Sequence, residues 1–433
     1  MRVVSSWGRT RRVLHDIVPV PDRSSLAEVV RGTPQPALAF GNGRSYGDVC
    51  LNSGHSLWAM RGLDRFIDFD ASTGLLACEA GVLLKEVVEL ALPHGWFLPV
   101  TPGTQLATVG GAIAYDVHGK NHHRHGTFGE NVEQLRLVRT DGMDIECARD
   151  VRPEWFAATV GGMGLTGMIA SAILRLRRVP GPWIDSQSHA FASLAEFFEL
   201  SASLSRSAEY NVAWIDCATD ANGATRGIFF SGDHAEDGTP ASPRADRRLP
   251  IDLPFSLVNG WSVKAFNSAY FARHSRATGP TRQDYRAFFY PLDNLLEWNR
   301  LYGKAGFYQY QCVVPREVES DATQALLRAI ARSRQGSFLA VLKTFDDRAP
   351  VGLLSFPCAG TTLALDFPNR PGVVDLFRAL DAIVAEAGGR VYAAKDASAP
   401  RQMFERSFPK LGEFVAYRDP GIASDMSRRL FGH

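Results

Sequence analysis

The chain has 433 residues, 45% of them hydrophobic and 21% charged, with a net charge of +1. That length predicts two domains or one large elaborated one around a sizeable core, and the near-neutral balance gives no global field for nucleic acid or an anionic membrane. Cys50, Cys78, Cys147, Cys217, Cys312 and Cys358 show no CxxC spacing, so they read as free thiols rather than a disulfide framework or a zinc site.

No window reaches the roughly 18 apolar residues that span a bilayer. The N-terminal stretch lacks the apolar core of a secretory signal. The expectation is a cytoplasmic protein with no transmembrane helix, attached to a membrane peripherally at most.

Residues 1–35 read as an opening strand and a helix. Pro19 and Pro21 break the chain, and Asp22, Ser24 and Ser25 can cap a helix through Val30. Pro36 to Phe40 is a short buried strand that runs into GNGRSYGD at 41–48. A strand feeding a glycine-rich turn is a context in which backbone N–H groups cradle a phosphate, and Arg44 can add a charge-assisted contact to a diphosphate. The spacing is neither Walker A nor GxGxxG, and the loop taken alone also fits a plain hairpin turn. Strands follow at 56–60, 66–69 and 75–80, then a helix at 81–91 and a strand at 95–100.

Residues 101–131 hold six glycines, four histidines and one lysine. Gly110 and Gly111 stand together in an apolar run, where a missing Cβ lets the backbone approach something flat or bulky. This stretch reads as the wall of a cofactor site. The HxxxHHxH spacing of His118, His122, His123 and His125 matches no zinc signature, and no acidic cluster stands beside it, so no metal is expected. His122, His123 and His125 read as surface or supporting hydrogen-bonding groups, and His118 as the one nearest the site.

A strand at 135–142 closes on an Asp-Gly turn. Gly162, Gly164 and Gly167 form a GxGxxG match without a βαβ unit or acidic partner, and read as a turn opening onto a strand at 169–179. The composition shift at Pro180-Gly181-Pro182 marks a domain boundary. Beyond it come an amphipathic helix at 193–207, strands at 210–217 and 227–230, and a polar surface loop at 232–250. Residues 251–275 are aromatic-rich and read as amphipathic, either core packing or a lid or membrane-contacting surface for a lipidic ligand. In a strand at 307–314, period two puts Gln309 and Gln311 on one face, for hydroxyl recognition or for solvent. A helix at 317–333, strands at 338–344 and 361–368, a helix at 373–387, a strand at 390–396 and a short final helix complete the chain.

Three motifs go beyond what composition can say: GNGRSYGD at 41–48, PGT with VGGAIAYDVHGKNHH at 102–123, and YAAKDAS at 392–398. With YPLDNLLEWNRLYG at 290–303, YQYQ at 308–311, LSFP at 354–357 and ASDMSRRL at 423–430, the chain resembles the FAD-dependent oxidases of the vanillyl-alcohol-oxidase (p-cresol methylhydroxylase) superfamily. Within it, the likeness is to the decaprenylphosphoryl-β-D-ribose 2'-oxidases and extends over nearly the whole chain. The resemblance implies an α+β fold. A two-subdomain FAD-binding domain takes 1–181, a substrate domain with an antiparallel sheet flanked by helices takes 182–389, and 390–433 returns to the first domain.

The resemblance also implies a site. Gly41, Asn42, Gly43, Arg44, Ser45, Tyr46 and Gly47 would hold the FAD diphosphate. Gly103, Thr104, Gly110, Gly111, Ala112, Ile113, His118, Gly119 and Asn121 would line the cofactor, with Ile169 toward the adenine. The diphosphate loop lacks the histidine to which many members attach FAD, so the implied FAD is non-covalent. The implied reaction oxidises a ring secondary alcohol, on a lipid-phosphate-linked ribose, to a ketone. Hydride passes to flavin N5 as the hydroxyl proton leaves, and a short-chain NAD(P)H-dependent reductase completes an epimerisation.

Lys395 is the implied catalytic cation at the flavin N1–C2=O edge and against the substrate hydroxyl. As a base it needs a depressed pKa. His118 is a second catalytic candidate and Lys120 a phosphate contact. Trp214, Phe289, Gln309, Gln311, Lys343, Thr362 and Ala364 match the family pocket for substrate. Ala364 stands where the family has the cysteine attacked by covalent inhibitors, Phe289 where it has tyrosine, and Thr362 where it has asparagine. A stand-alone oxidase of a free sugar or polyol, or a non-catalytic flavin-binding module, are the other readings.

Overall fold

The computed structural model describes residues 1–217, 225–241, 247–277 and 279–432. Helices and sheets are mixed along the chain, as an α+β fold requires. Among the described residues no helix is long and apolar enough to cross a membrane.

A four-stranded sheet is ordered Arg2–Val4, Val13–Pro19, Ser56–Ala59, Ala37–Phe40. The last three strands run parallel. The short helix Leu26–Gly32 connects Val13–Pro19 to Ala37–Phe40. At its start Asp22 accepts from the Ser25 amide at 2.9 Å, which satisfies one of the donors that a helix start leaves unpaired. An antiparallel five-stranded sheet is ordered Phe66–Asp70, Leu75–Glu79, Met168–Arg175, Val132–Val138, Asp144–Ala148. The expected strand at 95–100 shortens to Trp96–Phe97, and the helix expected from 81 begins at Leu84.

The largest sheet has eight antiparallel strands and supplies the floor of the site. Its order is Thr281–Asp284, Trp183–Phe191, Gly227–His234, Tyr210–Ile215, Ala340–Phe345, Gly360–Pro368, Phe307–Pro315, Arg390–Val391. Strand side chains alternate between faces, and here the alternation sorts chemistry. Tyr310, Cys312 and Val314, with Leu363, Leu365 and Phe367, bury one face against helices Leu194–Ser207, Glu319–Ser333 and Val373–Glu386. Leu326, Ile330, Leu376 and Leu380 fill that layer, each at 5% exposure or less. Burying such a side chain contributes about 1.5–3 kcal/mol. The opposite face carries Gln309, Gln311, Thr362, Ala364 and Lys343 into a cavity. One-sided burial also locks the register, because a slip of one residue would exchange the two sets.

The polar loop read at 232–250 is partly strand. Gly232–His234 continue Gly227–His234, and Arg247–Arg248 pair with Leu295–Leu296; residues 242–246 lie outside the described residues. The strand expected at 390–396 is only Arg390–Val391, paired with Val313 and Cys312. The chain then turns, with the amides of Lys395 and Asp396 both donating to Tyr392 O. Further on, Ile422 pairs with Ala37, and Arg429 in the final helix Asp425–Phe431 binds both Asp48 and Asp396.

Candidate active site

A cavity of about 730 Å³ runs from the glycine-rich loops to the open face of the eight-stranded sheet. Its loop end is lined by Gly41 to Tyr46, Gly103, Thr104, Gly110, Gly111, Met163, Gly164, Gly167 and Ile169. The amides of Asn42, Gly43, Arg44 and Ser45 have no protein acceptor among the described residues. The Arg44 guanidinium packs 4.2 Å above the Trp7 ring, and its Nε is buried without a partner among the described residues. Burial pulls its pKa down, against the opposing pull of Asp293. Open space stands where a Cβ on Gly103 or Gly164 would point. Unpaired donors suit a diphosphate, and walls without side chains suit a flat ring. These residues fit FAD.

The neighbouring elements hold this end in shape. Thr104 donates to Asp293 at 2.9 Å, and the Gln105 amide donates to the same carboxylate at 2.8 Å. Thr101 and Tyr290 share a hydrogen bond of 2.6 Å. Helix Val109–Ala114 is capped by Thr108, which accepts from Gly111 N. Gly110 is packed as well as exposed to the cavity: a Cβ there would stand 3.0 Å from that of Ala80.

Four expected cofactor residues do not line the cavity. Ala112 and Ile113 turn from the same helix into the core that includes Val87, Leu135 and Phe156. Asn121 is 1% exposed and donates to Pro99 O at 2.8 Å, so it braces the chain behind the site. Gly47 is a glycine because a Cβ would stand 1.6 Å from Asp396 O. Residues 101–131 thus contribute wall and backing together, and spacing alone did not separate them. The other three histidines of the stretch make supporting contacts. His122 is buried, accepting from the Asp346 amide at 3.3 Å, and burial lowers its pKa to about 3. His123 contacts Ala208 O at 3.1 Å and His125 lies 3.4 Å from Glu209.

At the sheet end the expected substrate-side residues come together: Lys120, Trp214, Phe289, Gln309, Gln311, Lys343, Thr362, Ala364 and Lys395, with His118 and Gly119. His118 is buried. It sits 3.0 Å from Gln311 and 3.1 Å from Lys343 Nζ, under Phe345, Phe356 and Tyr392. Burial first, then Lys343, hold its pKa well below the ordinary histidine value. Lys343 also donates to Gly119 O at 3.1 Å. Burial lowers Lys343 to about 7, with Lys120 and Lys395 adding to the effect. Lys120 donates to Phe288 O, lies 4.3 Å from the Phe288 ring centroid, and is lowered to about 7 by burial. Lys395 Nζ stands 3.8 Å from the Tyr46 ring centroid.

Sequence reasoning missed Asp366. It is fully buried on the strand of Thr362 and Ala364, and accepts from Gln309 at 2.5 Å. Its second oxygen has no partner among the described residues. Burial raises its pKa, and burial lowers that of Lys395, each opposing the other's shift. The available signal was an aspartate inside the apolar run TLALDF. Tyr270, Arg273 and His274, from helix Gly260–Ser275, also reach the cavity unannounced.

Residues 21–148 match the FAD binding domain family. The chain is 34% identical to the decaprenylphosphoryl-β-D-ribose oxidase of Mycolicibacterium smegmatis over 98% of this chain and 96% of that protein. The chain belongs to the same family of FAD-dependent oxidases. It is an FAD-dependent oxidoreductase, and FAD is its cofactor. An uncharacterised Streptomyces coelicolor protein is 31% identical over 81% of this chain and all of its own length. L-gulonolactone oxidase of Mus musculus is 27% identical over 39% of this chain and 38% of its own. The flavin oxidase family accounts for the two ends of the cavity, one of bare backbone and one of cations and amides.

Proposed function

We propose that this protein oxidises a secondary hydroxyl of a sugar, the C2' hydroxyl of a ribose joined through phosphate to a lipid. This would be the first half of an epimerisation that a short-chain NAD(P)H-dependent reductase completes. The observation that carries the reading is the convergence of Lys120, Lys343 and Lys395 with Gln309, Gln311 and Thr362 in one cavity with the glycine-lined end. Lys120 and Lys343 suit a phosphate, and amides with a hydroxyl suit a sugar. The similarity to an oxidase named for decaprenylphosphoryl-β-D-ribose supports the same substrate class.

When bound, FAD supplies the acceptor for the carbinol hydride. The chain's residues handle the proton and the pose. Lys395, its pKa lowered by burial, takes the hydroxyl proton on Nζ and becomes a cation inside the cavity. Asp366 moderates that shift from the neighbouring strand. His118 stays neutral and holds Gln311 toward the sugar, while Lys120 and Lys343 meet the phosphate. The reading assigns 1–181 and 390–433 to a two-subdomain FAD-binding domain and 182–389 to the substrate domain. FAD is held non-covalently, because 41–47 offers no histidine.

The test is anaerobic bleaching of the bound flavin by polyprenyl-phosphoryl ribose and by free pentoses. Bleaching by the lipid-linked sugar supports the proposal; bleaching by free sugars alone replaces it with a soluble-sugar oxidase. Mass spectrometry of heat-released cofactor checks the attachment, with free FAD expected.

A further inference from the structure

Residues 251–275 do not form the amphipathic segment their composition predicts. Helix Gly260–Ser275 buries Val263 and Asn267 on its inner side and turns Tyr270 and His274 into the cavity. A surface helix ordinarily has a polar outer side. Here Trp261 is 87% exposed and Phe266 45%, with Phe255 at 68% and Leu257 at 47% in the segment leading in. The charges on this helix have one sign: Lys264 and Arg273 are exposed on it, no acidic residue occurs in it, and Arg276 is exposed just beyond. Asp252, the nearest preceding acid, is 2.7 Å from Arg9 and 3.5 Å from Arg300.

We infer that this surface docks on an anionic membrane. Exposed tryptophan and phenylalanine beside lysine and arginine suit a surface resting on lipid: the rings sit at the headgroup boundary and the cations meet the headgroups. Membrane is favoured over a protein partner by continuity. The helix that presents Trp261 outward lines the cavity from inside through Tyr270, Arg273 and His274. A lipid arm leaving the cavity passes beneath the element that sits in the membrane. That link rests on the proposed substrate; the exposed aromatic and basic pattern does not.

The experiment is sedimentation of the full-length, FAD-loaded protein with vesicles of phosphatidylcholine alone or mixed with phosphatidylglycerol, without sugar. Wild type is expected to bind the anionic vesicles and to release as salt is raised. The triple variant Phe255→Ser, Leu257→Ser, Trp261→Ser is expected to lose affinity about tenfold or more. Lys264→Ala is expected to lose about fivefold. Unchanged flavin absorbance and melting temperature show that the variants are folded. The inference is overturned by wild type that stays in the supernatant, or by a triple variant that binds equally well. It is also overturned if wild type elutes as a dimer that the triple variant breaks, with no vesicle binding. Failure to oxidise a lipid-linked sugar sinks the proposed function and leaves the vesicle result standing.

Discussion

The Nζ of Lys343 lies 3.1 Å from Nδ1 of His118. Gln311 donates its amide N–H to Nε2 of His118, so the neutral ring carries its proton on Nδ1, and a neutral Lys343 accepts it. Burial and the neighbouring cation hold His118 well below the ordinary 6.5. Histidine NMR of labelled protein is expected to show no titration of His118 between about pH 5 and 8. In Lys343→Met the cation is gone, so its pKa rises, while burial still keeps it below 6.5. A fall in pKa, or no movement, rules out the coupling.

Replacing Lys395 with Ala is expected to leave the fold and bound flavin intact and to slow flavin reduction by about 10²–10⁴, the usual contribution of a positioned base. The pH dependence follows from its proton. The active form is neutral, and burial moves its pKa below 10.5. The reduction rate therefore rises with pH and levels off before the ordinary lysine range. Asp366 raises the Lys395 pKa, so Asp366→Asn should lower it further and move the profile to lower pH. Stopped-flow reduction checks both. A flat profile, or a shift to higher pH in Asp366→Asn, removes Lys395 as the base.

Ala364 pairs with Gln311 and Val341 in the sheet and faces the cavity. Cys50 also borders the cavity, but burial pushes its thiol up to about 12. Such a thiol is inert near neutrality, since the thiolate is the nucleophile. Cavity-directed thiol electrophiles are thus expected to leave the wild type active. Ala364→Cys supplies a thiol in the cavity and should lose activity irreversibly, more slowly with substrate bound. Intact-mass measurement checks this; a wild-type adduct at Cys50 contradicts it.

Gly47→Ala puts a methyl group 1.6 Å from Asp396 O. Neither backbone can give way cheaply, because the Tyr46 amide donates to Ala394 O and Asp396 is tied to Arg429. The expected loss is on the order of 3 kcal/mol, read as a lower denaturation midpoint. Gly43→Ala also clashes, but with the Phe40 ring, and should weaken FAD retention as well. A Gly47→Ala protein as stable as wild type refutes the packing role.

Local chemistry determined much of this protein. Period-two alternation in 307–314 put Gln309 and Gln311 on one face before any partner strand was known. The strand into GNGRSYGD and the adjacent Gly110 and Gly111 marked the cofactor end, and the family resemblance marked Lys343 and Lys395. What only tertiary structure decided depends on distance and register. Ala112 and Gly111 are adjacent, yet one enters the core and the other the cavity, according to what packs behind the helix. Asp366 gains its role from the strand pairing that sets it against Gln309. His118 and Lys343 are 225 positions apart, and Lys395 is on a turn rather than the expected strand. Their low pKa values arise because the fold removes water around them together. Residue type alone carries no measure of that desolvation.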